Sequence, residues 1–135
     1  MKIENKLTED ETVILLIERL KLDGWKVDKF CLGQTKGNDI EATKNRQNLI
    51  IEVKGAKAGD NSPTKRRDFF DSNQIKTHFG KAIVKVLSEM TKNPENNYAI
   101  AHPNDELIKK SIGNLIPFLE KLDIKHFWVE KYDKV

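Results

Sequence analysis

The chain has 135 residues, enough to bury one substantial core and short for two, so a single domain over residues 1–135 is expected. Its 38% hydrophobic and 33% charged content is that of a globular protein, and a net charge of +3 is too mild to argue for nucleic acid by itself. The longest purely apolar run, Val13 to Ile17, is far too short for a bilayer span, and the polar start Met1-Lys2-Ile3-Glu4-Asn5 offers no signal-peptide core, so a cytoplasmic protein without a membrane partner is expected.

Thr8-Glu9-Asp10-Glu11 is a capping-box signature, with Thr8 as N-cap and Glu11 at the third helical position. It opens a helix that runs to Leu20 or Leu22 and stops at Gly24. Val13, Leu16, Ile17 and Leu20 form the buried stripe. At about 100° per residue Glu9 falls on that stripe, one turn before Val13, whereas Glu11 points nearly opposite. Trp25-Lys26-Val27 then begins a first strand that leads through Phe30-Cys31-Leu32. The one cysteine, Cys31, permits no intramolecular disulfide and has no neighbours at zinc-ligand spacing; it reads as a half-buried small hydrophobe.

Gly37-Asn38-Asp39-Ile40-Glu41-Ala42 and Leu49-Ile50-Ile51-Glu52-Val53-Lys54 are two apolar-rich runs separated by the polar five Lys44-Asn45-Arg46-Gln47-Asn48, which predicts a hairpin with that stretch as its connection. Side chains alternate faces along a strand, so Glu52 and Lys54 share one face while Leu49, Ile51 and Val53 point to the other. Glu41 shares a face with Asp39 under the same period and is read as a supporting or solvent-facing residue.

Downstream, Gly55 to Pro63 has loop composition. Between Lys54 and Lys81 there are seven basic residues, Lys54, Lys57, Lys65, Arg66, Arg67, Lys76 and Lys81, against Asp60, Asp68 and Asp71, a local excess larger than the surplus of the whole chain. Lys57, Lys65, Arg66, Arg67 and Lys81 are therefore expected to draw nucleic-acid phosphates; a solvated loop is the bland alternative. A second helix is predicted from Ser72 to Met90, with Ile75, Phe79, Ala82, Ile83, Val86 and Met90 facing the sheet and a polar stripe of Gln74, His78, Lys81 and Lys85 beside them.

Tyr98-Ala99-Ile100-Ala101 reads as a buried strand ended by His102-Pro103. Asn104 or Asp105 caps a helix containing Leu107, Ile108 and Ile112, which Gly113-Asn114 and Pro117 interrupt. A second piece through Leu122 precedes a final strand, Lys125 to Val129. The strand, helix, strand ending favours parallel pairing. The predicted order is α-β-β-β-α-β-α-β, an α/β fold whose mixed sheet carries helices on both faces.

The chemistry that uses two carboxylates and an amine brought together by one hairpin is metal-dependent phosphodiester hydrolysis. Mg²⁺ prefers oxygen ligands and keeps several waters, so Asp39 and Glu52 can hold it, with Mn²⁺ as a substitute. Lys54 would orient the attacking water or offset developing charge. The competing reading is a surface Glu-Lys pair on an edge strand, with Asp39 a loop residue.

These residues resemble the PD-(D/E)XK nuclease superfamily, the restriction-endonuclease-like fold, with Gly37-Asn38-Asp39-Ile40 and Glu52-Val53-Lys54-Gly55 close to forms common in its Mrr-like and Holliday-junction-resolvase-like branches. Asp39 matches the first acidic position, Glu52 the second and Lys54 the lysine; Asn38 stands where the motif's name places proline. The resemblance covers roughly residues 8 to 90. It implies a three-layer core and a further acidic residue from the first helix at the metal site, for which Glu9 is the candidate and Glu11 the capping partner. It also implies a glutamine or basic side chain from the helix after Glu-x-Lys, which makes Gln74 and Lys81 candidates beside the catalytic trio. The function it implies is a Mg²⁺-dependent endodeoxyribonuclease of restriction or repair type acting on duplex or branched DNA, with homodimerisation as an option. The alternative is a nuclease-fold protein that binds nucleic acid or a protein partner without cutting.

Overall fold

The computed structural model describes residues 6–33, 35–59 and 69–131. Helix α1 (Glu9–Leu22) starts where the capping box places it: Thr8 Oγ1 accepts from the Glu11 N–H at 3.1 Å and Glu11 Oε1 accepts from the Thr8 N–H at 2.9 Å. Gly24, at a φ of +93°, carries the chain out of the helix in a conformation that disfavours a side chain. Strand β1 (Lys26–Phe30) follows, then β2 (Ile40–Lys44) and β3 (Gln47–Val53).

The hairpin between β2 and β3 is tighter than its polar composition predicts. Lys44 pairs with Gln47, so the connection is the two residues Asn45 and Arg46, both at positive φ (52° and 66°). That is the backbone a type I′ turn needs, and its twist matches the flanking strands. Three of the five polar residues thus belong to the ladder, because an exposed hairpin end can carry polar side chains without loss of pairing.

Helix α2 (Ser72–Lys92) crosses to β4 (Asn97–Pro103), and α3 (Glu106–Ile112), capped by Asp105, runs into a 3₁₀ helix (Gly113–Leu122) that leads to β5 (Ile124–Val129). The α-helix gives way at Gly113, as expected, to a second piece that runs to Leu122; that piece is wound as the tighter 3₁₀ form and continues through Pro117. His102 and Pro103 end β4 as expected, but as its last two paired residues, opposite Trp128 and Val129 of β5. The sheet has five strands in sequence order, antiparallel from β1 to β3 and parallel from β3 to β5.

Each sheet face buries its own core. Val13, Leu16, Ile17 and Leu20 of α1 pack on Ile40, Leu49, Ile51, Val53, Ala99 and Ala101. On the other face Ile75, Phe79, Ala82 and Val86 of α2 join Ile108, Ile112 and Leu119 over Tyr98, Ile100 and Ile124. This is the α/β arrangement that the element order predicts, a mixed sheet with helices on both faces, and it makes three layers. No helix of the described residues is long and apolar enough to cross a membrane.

Candidate active site

The register of the hairpin builds the site. Ile40 pairs with Ile51, and one step further the same antiparallel register sets Asp39 against Glu52. Slipping by one residue would put Asn48, Ile50 and Glu52 where Leu49, Ile51 and Val53 are buried, and each fully buried apolar side chain contributes about 1.5–3 kcal/mol. The core on the α1 face therefore fixes which carboxylates meet on the α2 face. Both lie where β3 ends, at the carboxyl edge of the parallel part of the sheet, the usual place for a ligand site in an open α/β sheet.

Asp39 Oδ2 accepts the Val53 N–H at 2.8 Å, which ties the carboxylate to the end of β3. Burial and then the neighbouring Glu52 raise its carboxyl to about 7, against the lowering effect of that N–H, and Glu9 adds to the rise. Glu52 is buried, 7% exposed, with Lys85 Nζ at 2.9 Å from Oε1 and Lys54 Nζ at 3.7 Å from Oε2. Lys54 leaves β3 with its N–H bonded to the Ala101 carbonyl at 3.0 Å.

Glu9 reaches the same place from α1. The Ala56 N–H donates to the Leu7 carbonyl at 2.7 Å and Thr8 bridges Lys57, so the chain leaving β3 runs beside the start of α1. Gly55 makes this approach feasible: a Cβ there would collide with the Glu9 backbone nitrogen and lie 2.7 Å from the Thr8 carbonyl carbon. Burial raises the Glu9 carboxyl, with Lys54 opposing and Glu52 reinforcing the shift. Glu11 is exposed and occupied by the cap, whereas Glu9 lines the cleft over the carboxylates.

A cleft of about 550 Å³ opens over these groups, lined by Glu9, Asp39, Glu41 and Glu52 and by Lys29, Lys36 and Lys85. Asn38 Nδ2 donates to Glu41 Oε2 at 3.2 Å, which gives Glu41 its supporting place at the rim. Among the described residues no three or more His, Cys, Asp and Glu side chains form a metal-binding group. The donor set is nonetheless one of oxygens: Asp39 and Glu52 adjoin, and Glu9 is close enough to shift Asp39. One or two carboxylates completed by water and substrate phosphate is the arrangement Mg²⁺ ordinarily accepts, so these residues fit such an ion.

Not every expected residue arrives here. Gln74 is drawn into the α2 cap instead, its Oε1 accepting the Asp71 N–H at 2.9 Å while its own N–H donates to Asp71 Oδ1. Exposed Lys81 and half-buried Lys57 do not line the cleft, and Lys65, Arg66 and Arg67 lie outside the described residues. The cleft lysines that sequence reading did not assign are Lys29, Lys36 and Lys85. Lys85 is the last member of the polar stripe of Gln74, His78, Lys81 and Lys85; the helix period places it on that stripe but assigns it no role at the site. Lys29 stands opposite Glu41 in the β1–β2 register.

Behind the trio, the three histidines collect on the α2 face. His102 Nδ1 and His126 Nε2 are 2.9 Å apart, and the other ring nitrogen of each is buried without a hydrogen-bond partner among the described residues. Burial, then His126, Lys54 and His78, holds His102 well below its ordinary range, and burial lowers His126 to about 4. His78 packs edge-on against Phe70 and is itself lowered by burial, Lys54 and Lys81.

No protein-family model matches the chain, and no curated protein matches it. Among solved structures it is similar to the crystal structure of an XisH family protein from Nostoc punctiforme, with 16% sequence identity, a TM-score of 0.49, and coverage of 87% of this chain and 91% of that one. That likeness is one of general outline, and the functional reading rests on the residues of the site.

Proposed function

We propose that the protein is a Mg²⁺-dependent endodeoxyribonuclease that hydrolyses DNA phosphodiester bonds. The observation that carries this reading is the opposition of Asp39 and Glu52 at the end of β3, with Lys54 beside them. Two adjoining, desolvated carboxylates repel each other, and Asp39 is raised to about 7 partly for that reason. Such an arrangement is costly unless a function retains it.

In this reading Asp39, Glu52 and Glu9 supply oxygen donors for the cation, Mg²⁺ or Mn²⁺ in its place. When bound, a divalent cation supplies Lewis-acid stabilisation of a phosphate and a more acidic water. The Val53 N–H holds Asp39 in a fixed orientation, so little reorganisation is needed when a charged ligand arrives. Lys54, tethered by its backbone to β4, brings an ammonium to the carboxylate edge, where it offsets the negative charge that builds on the phosphoryl and leaving oxygens as water attacks and the P–O bond breaks. Lys29, Lys36 and Lys85 line the cleft where backbone phosphates would lie.

The second reading, a nuclease-fold protein that binds nucleic acid or a protein partner without cutting, draws on the two lysines that already neutralise Glu52. Incubation of supercoiled plasmid and of branched DNA with Mg²⁺, with and without chelator, separates the two. Chelator-sensitive nicking that Asp39→Asn abolishes supports the first; DNA retention without product supports the second.

A further inference from the structure

Among the described residues, Lys85 is the cleft lysine whose ammonium contacts Glu52 of the catalytic trio. Its Nζ lies 2.9 Å from Glu52 Oε1 and 3.3 Å from the Gly37 carbonyl oxygen, two oxygen atoms carried by different segments, β3 and the loop before β2. Gly37 adopts a φ of +136°, a backbone that favours glycine, and this orients the carbonyl within the segment leading to Asp39. One positive charge from α2 thus bridges the two sides of the carboxylate pair.

The charge around it calls for such a bridge. Glu9, Asp39, Glu41, Glu52 and Glu89 line the cleft against Lys29, Lys36 and Lys85. Glu52 is nearly closed off from water, with its side chain only 8% exposed, whereas the Lys85 side chain is 41% exposed and has a path to solvent by rotamer change. A buried carboxylate needs a partner at all times; a half-exposed lysine can leave.

We infer that Lys85 is the resident counter-cation of the metal-free site, and that a divalent cation binding at Glu52 must displace it. The inference rests on the metal reading proposed above and assigns Lys85 a positioning role in it. Lys85 holds the Asp39 and Glu52 segments together before the ion arrives and sets the affinity with which the ion is taken up. Released from Glu52, it stays at the cleft, where a DNA phosphate is its next available anion.

The test is calorimetric titration with Ca²⁺, which avoids cleavage, on the full chain and on Lys85→Gln, Lys85→Arg and Lys81→Gln, beside thermal melts in chelator. Removing a competing charge-assisted hydrogen bond should tighten Ca²⁺ binding by about tenfold or more in Lys85→Gln. The metal-free melting temperature of that variant should fall, and Ca²⁺ should restore it. Lys81→Gln removes the same charge one turn away without touching Glu52 and should stay within about threefold of wild type, and charge-retaining Lys85→Arg should stay as weak as wild type. Equal tightening by Lys85→Gln and Lys81→Gln, or weaker binding in Lys85→Gln, overturns the inference and leaves the metal reading standing. No Ca²⁺ uptake by wild type or any variant overturns both. If Lys85→Gln does not fold, Lys85→Arg decides: tighter binding there contradicts displacement.

Discussion

Asp39 faces Glu52 one step past the Ile40–Ile51 pair, and the Val53 N–H that Asp39 Oδ2 accepts at 2.8 Å locks the two carboxylates at the end of one strand. They are neighbours because a two-residue turn and an apolar core on the opposite face leave the hairpin a single register. The distance between them in sequence is a consequence of that register, and so is the chemistry they permit.

Asp39→Ala, Glu52→Ala and Lys54→Ala are each expected to lower Mg²⁺-dependent cleavage by at least about 100-fold, since groups that act as a unit lose most of their effect singly. Circular dichroism should show the fold retained. Wild-type rates in all three variants, measured under single-turnover conditions, would place the active site elsewhere.

Glu9 and Glu11 should separate cleanly. Glu9→Gln is expected to weaken Ca²⁺ binding with little change in stability, because Glu9 lines the cleft. Glu11→Gln, which perturbs the reciprocal hydrogen bonds with Thr8, should loosen the helix start by several tenths to about 1 kcal/mol and leave metal binding alone. Calorimetry beside thermal melts reads both effects, and the reverse pattern would exchange the two roles.

Gly55→Ala should be destabilising by about 1–3 kcal/mol, because its Cβ meets backbone atoms of Thr8 and Glu9 that no rotamer change can move away. Gly59→Ala is the matched control: a Cβ there meets nothing within 4 Å among the described residues, and its effect should stay within about 0.5 kcal/mol. Urea unfolding of the two variants makes the comparison, and equal midpoints would mean that the passage of β3 past α1 tolerates a side chain.

The pH dependence of the metal-free protein should carry opposing contributions. Asp39 is raised, by burial and then Glu52, from an ordinary 3.8 to about 7, so between those values the folded chain holds a proton the unfolded chain has lost. Its contribution to stability is full below the lower value and is lost as pH rises through about 7. His126 is lowered by burial from 6.5 to about 4, so its contribution is present above the higher value and lost as pH falls toward the lower one. Thermal melts in chelator from pH 5 to 8 should therefore show a smaller decline in Asp39→Asn than in wild type. Parallel curves for the two proteins would contradict the raised carboxyl.

Neutralising Lys65, Arg66 and Arg67 together should weaken DNA binding most at low salt without changing the chemistry at the trio. Loss of three phosphate contacts would reduce the slope of log K against log[salt] by about 2.7 on duplex DNA. Fluorescence anisotropy across a salt series with Ca²⁺ measures it, and an unchanged slope would assign DNA contact to the cleft lysines Lys29, Lys36 and Lys85 instead.

Short-range physics made much of this protein legible from its residues. The Thr8-Glu11 box and Gly24 bound α1 to within a residue or two, because capping and a positive φ are decided within one turn. Strict alternation around Ile51-Glu52-Val53-Lys54 separated the core face from the polar face, and the phase of Glu9 relative to Val13 followed from the helix period. What the residues did not disclose depends on how distant elements are set against each other. Lys85, not Gln74 or Lys81, meets Glu52 because the core of Ile75, Phe79, Ala82 and Val86 fixes the position of α2 over β3, while an Asp71 cap engages Gln74. The pairing of His102 with His126 likewise waits on the parallel register of β4 and β5. Local pattern determines which face a side chain takes. Only the packing of two cores on one sheet determines which faces meet, because that choice is made by the summed burial of residues far apart in the chain.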